Sequence, residues 1–189
     1  DFLINTAAYT AVDKAEEETE LADKINGHAV GQLAALCKEF DCKLIHVSTD
    51  YVFDGKTTTP YSEEAIPHPL NVYGASKWEG EKQALLLNPE IIILRTSWLF
   101  SVYGKNFVKT IFRLLKEKNE IRVVNDQTGS PTYAADLAET LLKIITTGHT
   151  NSTNWKPGIY HFCNEGAVSW YQFALAIKEL TGSKAMIHP

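Results

Sequence analysis

Two short runs built almost wholly from apolar residues, L-I-H-V at 44–47 and I-I-I-L at 91–94, each follow a stretch whose apolar residues recur at helical spacing. This restricts the fold more than any other feature. A strand that is apolar on successive residues has to be covered on both faces, and such strands belong to parallel sheets whose crossover helices do the covering. A third run, Phe2, Leu3 and Ile4, opens the chain and leads into a small-residue loop. Between it and the second run, Leu21, Ile25, Ala29, Leu33 and Leu36 mark one face of a helix predicted over 13–40. Strand, helix, strand predicts an α/β fold with a parallel sheet.

After about Phe100 the elements become shorter and mixed. A helix is predicted over 106–118 with Phe107, Ile111, Leu114 and Leu115 inward, then a strand over 121–124, a polar loop over 125–132 and a helix over 134–146. The Thr- and Asn-rich stretch 147–157 reads as a connection and 158–163 as a small strand, and Ser169 is expected to cap a helix running to Leu180. Residues 1–100 are therefore expected to form the main α/β part. Residues 101–189 are expected to form mainly a small α+β lobe, with some elements returning to the main sheet.

Charge excludes whole classes of partner. A net charge of -5 and a pI near 5.7 give no general attraction to nucleic acid or to an anionic membrane. No apolar run is long enough to cross a bilayer, and no signal peptide is visible. The three cysteines lack metal or redox spacing, so reduced thiols and a cytoplasmic location are expected. The six histidines are scattered singly, and each is expected to be structural or superficial, with no metal site. Glu16, Glu17, Glu18 and Glu20 suit a solvated helix start and carry no functional weight.

The chemistry-bearing candidates sit where such a sheet would present them. Ligands of open α/β sheets lie beyond the carboxyl ends of the strands, and Thr49 and Asp50 follow the second strand there. A Thr/Asp cap or turn is an equally good reading of that pair. Tyr73 and Lys77 are four residues apart in a predicted helix and so share a face. Lowering a phenol by about three pH units requires roughly 4 kcal/mol. One ammonium about 5 Å away, at an effective dielectric near 20, supplies roughly 3 kcal/mol. The pair can thus act as an acid or base near neutral pH, although its spacing alone is a weak signal. Trp98, at the end of the third strand, is a packing residue or a platform for a flat ring.

Longer motifs narrow this reading. A-A-Y-T-A-V-D-K-A-E at 7–16, S-T-D-Y-V-F-D-G at 48–55 and P-L-N-V-Y-G-A-S-K at 69–77 resemble the dTDP-4-dehydrorhamnose reductases, extended short-chain dehydrogenase/reductases. R-T-S-W at 95–98, N-F-V-K-T at 106–110 and N-D-Q-T-G-S-P-T at 125–132 extend the likeness over nearly the whole chain. The resemblance implies a Rossmann-like doubly wound parallel sheet with a small substrate-binding lobe. It implies reduction of the C4 ketone of dTDP-4-dehydro-β-L-rhamnose by NADPH or NADH, for cell-surface polysaccharide.

By the same resemblance Tyr73 protonates the forming alkoxide, and Lys77 holds the nicotinamide ribose and lowers the phenol. Thr49 contacts the ketone oxygen or the phenol, and Asp50 and Trp98 contact the sugar. Ala8, Tyr9, Thr10 and Val47 line the cofactor site. A homodimer is compatible with the likeness. Magnesium accompanies some members, but no ligands for it can be assigned here. The glycine-rich turn that grips the pyrophosphate in the family is not among these residues, so the resemblance places it ahead of residue 1, and this chain alone is expected to bind cofactor weakly. The loop 99–104 departs from the family pattern. The alternatives are a non-catalytic sugar-nucleotide-binding relative, or an epimerase or dehydratase on the same scaffold. Tyr51, standing where dehydratases carry a second acid after Thr49, favours simple reduction.

Overall fold

The structure, a computed structural model, describes residues 1–151 and 153–189. In chain order the first half holds β1 (Phe2–Asn5), α1 (Val12–Ala15), α2 (Thr19–Ala22), α3 (Ala29–Glu39), β2 (Lys43–Thr49), α4 (Val72–Leu87) and β3 (Ile92–Thr96). It continues through β4 (Leu99–Phe100), α5 (Phe107–Glu117), β5 (Glu120–Arg122), β6 (Thr128–Gly129), β7 (Thr132–Tyr133) and α6 (Ala134–Thr150). β8 (Gly158–His161), β9 (Val168–Ser169), α7 (Trp170–Thr181) and β10 (Met186–His188) complete it.

Two compact units result. The first comprises Asp1–Thr96 and Leu141–Phe162, the second Ser97–Thr140 and Cys163–Pro189.

In the first unit β1, β2, β3 and β8 form a parallel sheet in the order β1-β2-β3-β8. The parallel α/β architecture expected from the apolar runs is present. Leu44, Ile91 and Ile93 from the strands close over Val30, Ala34 and Cys37 of α3 and Ala84 of α4. Each leucine, isoleucine or valine so buried stabilises the fold by roughly 1.5–3 kcal/mol. α4 lies so near the preceding segment that a Cβ on Gly80 would stand 2.0 Å from the Asn26 carbonyl oxygen, so glycine is required there.

The helix predicted over 13–40 is broken. α1 and α2 are single turns, and a π-helical turn, Asp23–His28, precedes α3. The face that packs inward is not the one the spacing marked: Val30, Ala34 and Cys37 are buried while Leu21 and Leu36 are 43% and 50% exposed, because the small residues Gly27 and Gly31 on that side let α4 pack close. That turn faces Asn26 inward, fully buried. α6 also runs on to Thr150, past the predicted end at 146. Its threonines bond back along the helix, Thr146 Oγ1 to the Leu142 carbonyl at 2.8 Å and Thr150 Oγ1 to that of Thr146 at 3.1 Å, so their hydroxyls are satisfied within the helix instead of in a turn.

The second unit packs α5 and α7 against the parallel pair β5 and β10. Its core holds Ile111, Leu115, Ile121, Val123, Ala174, Ile177 and Ile187. Ser169 caps α7 as expected: its Oγ accepts from Gln172 N at 3.1 Å while Gln172 Oε1 accepts from Ser169 N at 2.8 Å. Gly182, at φ 63°, closes the helix in the left-handed conformation that costs glycine nothing. The predicted loop 125–132 contains β6 and opens β7, which pair with β9 and β4. Two-residue strands have no period to read, so the sequence does not announce them.

Candidate active site

The end of one strand and the first turns of one helix assemble the candidates of the first unit. β2 stops at Thr49, whose Oγ1 accepts from Tyr51 N at 3.2 Å and caps the 3-10 turn Asp50–Val52. The same hydroxyl donates to Asp50 Oδ1 at 3.1 Å. The turn-cap reading of this pair is therefore realised, at the carboxyl end of a sheet strand where ligands bind.

α4 is started by Asn71, whose Oδ1 accepts from Gly74 N at 2.7 Å, and by Glu16 of the acidic stretch, whose Oε1 accepts from Val72 N at 2.8 Å. A Cβ on Gly74 would meet the Tyr51 carbonyl oxygen at 2.2 Å, so only glycine lets the first turn of α4 approach this closely. The approach sets Tyr73 edge-on to Tyr51, with centroids 5.4 Å apart, and brings its phenol beside Thr49.

Burial is the largest influence on the Tyr73 phenol and pushes it above its ordinary value. The Thr49 hydroxyl acts to lower it, while Asp50 and Tyr51 add to the rise. This corrects the expectation that Lys77 depresses it. Lys77 does share the face of α4, but its long stem carries Nζ to β2, where it donates to the Val47 carbonyl at 2.8 Å and lies 3.2 Å from His46 Nε2. Lys77 is 1% exposed, and burial lowers its amine to about 8, with Glu81 one turn on acting to raise it. Burial likewise lifts Asp50 to about 6 against the lowering effect of Thr49.

Ala8, Tyr9 and Thr10 form the loop after β1, and a residue that sequence reasoning passed over holds it. Asn26 Oδ1 accepts from Tyr9 N at 2.8 Å, and its Nδ2 donates to Tyr9 O and to Ser76 Oγ, both at 3.0 Å. Ser76 in turn donates to the Tyr73 carbonyl at 2.9 Å. The Tyr9 phenol donates to Glu18 Oε2 at 2.7 Å. The loop is thus tied to the helix that bears Tyr73 and Lys77.

A second missed group lies below. Glu81 receives Arg95 Nε and Nη2, at 3.0 and 2.6 Å to its two oxygens, and Ser48 Oγ at 2.5 Å. Arg95 and Glu81 are 4% and 1% exposed, and Phe53 covers the guanidinium at 5.1 Å. His46, fully buried, completes the set. The signal for His46 and Arg95 was present, since an imidazole inside L-I-H-V and a guanidinium ending I-I-I-L-R both need buried partners. For Asn26 there was none.

Trp98 belongs to the second unit. Its backbone is left-handed at φ 48°, its ring stacks on Trp170 with centroids 3.4 Å apart, and a Cβ on Gly129 would touch that ring at 2.6 Å. Much of the ring is therefore engaged in packing. The same unit holds a cavity of about 300 Å³ lined by Phe100, Tyr133, Asp136, Asn164 and Phe173 among others. Asn164 Nδ2 donates to Asp136 at its wall, 2.6 Å. Among the described residues no three His, Cys, Asp or Glu converge to hold a metal, and no helix is long and apolar enough to cross a membrane.

Residues 1–189 match the RmlD substrate binding domain family. A protein of Aggregatibacter actinomycetemcomitans named dTDP-4-dehydrorhamnose reductase is 51% identical over 93% of this chain and 59% of its own length. The Bacillus subtilis spore coat polysaccharide biosynthesis protein SpsK is 43% identical over 99% of this chain and 63% of its own. The crystal structure of dTDP-4-dehydrorhamnose reductase from Bacillus anthracis in complex with NADP superposes with a TM-score of 0.93 at 44% identity, over all of this chain and 65% of that one. The chain thus spans a little under two thirds of the length of these relatives. With a Rossmann-like parallel sheet, a Tyr/Lys helix beside a strand-end threonine, and a match that runs from end to end, the chain belongs to the RmlD substrate-binding-domain family.

Proposed function

We propose that the protein carrying this chain reduces the C4 ketone of dTDP-4-dehydro-β-L-rhamnose to dTDP-β-L-rhamnose with NADPH or NADH, and that Tyr73 donates the proton. The observation that carries this reading is the meeting of the Tyr73 phenol and the Thr49 hydroxyl at the carboxyl end of β2, with Lys77 one turn on along α4. The first unit would then supply the catalytic groups and the residues proposed for the cofactor. Asp50 and Trp98 are proposed as sugar contacts on the resemblance.

The residues present fit a nicotinamide ribose. Of the three positions around Lys77 Nζ, the Val47 carbonyl and His46 occupy two, which leaves one for an outside hydroxyl. The loop of Ala8, Tyr9 and Thr10 is held still by Asn26. When bound, the cofactor supplies hydride to C4. Negative charge then grows on the ketone oxygen, and the Tyr73 hydroxyl is the donor beside it, joined by Thr49 once its hydroxyl turns from Asp50 Oδ1. The raised phenol is no obstacle, because an alkoxide is a far stronger base than a phenolate, and a high value keeps Tyr73 protonated until the proton is needed. Lys77, when charged, holds the ribose hydroxyl.

The test follows NADPH oxidation by the whole protein with the 4-keto sugar nucleotide. Tyr73→Phe is expected to lose about 10²–10⁴-fold in kcat, the usual contribution of a positioned acid. Turnover at the parent rate in that variant, or no turnover in the parent, overturns the reading.

A further inference from the structure

Asn5, His46 and Lys77 form one hydrogen-bonded line through the interior of the first unit, and the line has a sense. Asn5 Oδ1 accepts from Ala7 N at 3.1 Å, which leaves Nδ2 to face His46 Nδ1 at 3.0 Å. Nδ1 is then the nitrogen with the lone pair, so a neutral ring carries its proton on Nε2. Nε2 lies 3.2 Å from Lys77 Nζ. Against an ammonium, that contact sets two donors head to head. Against an amine it is a hydrogen bond into the nitrogen lone pair, and Nζ still donates to Val47 O. The observed arrangement is that of uncharged lysine.

Charged lysine needs the reverse. His46 must offer a lone pair at Nε2, carry its proton on Nδ1 and meet Asn5 Oδ1, so the Asn5 carboxamide must turn over. Ala7 N–H then faces an NH2 group and loses its acceptor. Ala7 immediately precedes the loop assigned above to the cofactor.

We propose that Asn5 and His46 are positioning residues that set the charge state of Lys77 and link it to the backbone of residues 7–10. The groups around the line leave the balance close. Lys77 faces His46 and Val47 on β2, Glu81 on its own helix, and Tyr73 one turn back. Glu81 favours the ammonium but is already matched by Arg95 of β3. Burial opposes the ammonium and holds His46 well below its ordinary value, hence neutral. Asn5 reaches Lys77 only through His46. In the ligand-free protein the amine goes with a fastened loop. A ribose hydroxyl accepting from Nζ favours the ammonium, so charging Lys77 for catalysis and releasing Ala7 N–H become one event. That catalytic consequence rests on the proposed function; the linkage itself does not.

The experiment is a pH titration of the whole, ligand-free protein by 15N NMR, reading the His46 tautomer, the Lys77 Nζ shift and the Ala7 amide over roughly pH 6–10, the range that brackets a lowered lysine. His46 is expected to carry its proton on Nε2 at the alkaline end and on Nδ1 at the acid end, with all three signals changing at one midpoint. Asn5→Asp is the discriminating variant. Its carboxylate can accept from both His46 Nδ1–H and Ala7 N–H, which removes the conflict and favours the ammonium. The Lys77 midpoint should rise by about one unit, a tenfold change in the amine-to-ammonium ratio, with His46 protonated at Nδ1 throughout. In an active enzyme the basic limb of kcat/KM should move with it, a shift that mere structural damage would not cause. A His46 tautomer that does not change with pH, or an unmoved Lys77 midpoint in folded Asn5→Asp, overturns the proposal. Should Asn5→Asp not fold, the titration of the parent decides alone. Tautomer switching in a protein that reduces no sugar nucleotide would sustain the linkage and sink the proposed function.

Discussion

The two units are held together in opposite ways. The interior of the first carries Asn5, Asn26, His46, Ser48, Lys77, Glu81 and Arg95, all buried. The core of the second is aliphatic, with Phe107, Phe173 and Trp170 packed against it, and its buried polar side chains among the described residues are Thr132 and Ser169. Burying a polar group costs stability unless its partners are in place, and a buried ion pair is often no better than apolar residues of the same volume. A chain that collects such groups in one unit holds them there for a purpose other than stability. On the proposed function, the first unit is where the proton-transfer groups are held, and the second is stabilised by ordinary apolar burial.

The contrast can be broken most severely at Glu81. Glu81→Ala leaves Arg95 charged, buried and unpaired, and should cost about 3–5 kcal/mol in urea unfolding of the whole protein. A loss below about 1 kcal/mol would mean that this interior is wetter than it looks. Ile177→Ala should cost about 3 kcal/mol in the second unit by cavity formation, equally at pH 5 and pH 8, because its surroundings are apolar. A pH-dependent cost there would remove the distinction between the units.

Asp50→Asn sharpens the contrast with a smaller effect of opposite sign. The folded state holds the Asp50 proton up to about 6, against an ordinary value of 3.8, so ionisation works against folding. No penalty exists below about pH 4; it grows between there and pH 6 and is complete above. The variant should therefore be more stable than the parent above pH 6, by up to about 2–3 kcal/mol, and equal to it near pH 4. Equal stability at every pH would show Asp50 to be solvated.

Much of the fold was legible, and for a uniform reason. The runs at 2–4, 44–47 and 91–94 became adjacent parallel strands because consecutive apolar residues leave few other choices. The Ser169 cap and the apolar face of α5 also followed from short-range rules, whereas α3 buries Val30, Ala34 and Cys37 and leaves Leu36 exposed, against the expected face. The misses came where local chemistry has no period: the π turn that buries Asn26, the extension of α6 to Thr150, and the two-residue strands β6 and β7. In the site, spacing was enough to put Tyr73 and Lys77 on one face of α4. It was not enough to say where a flexible four-carbon stem would end, and Nζ lies against Val47 and His46 on β2.

By itself, then, the order of residues determined the class of fold, the helix that bears the tyrosine and the lysine, and the strand end that bears the threonine, because each depends on neighbours within a few positions. Protonation was decided by tertiary structure alone. Whether the phenol is raised, the lysine lowered or the histidine neutral depends on how much water is excluded and on which donor faces which acceptor, across separations such as the 41 residues between Asn5 and His46.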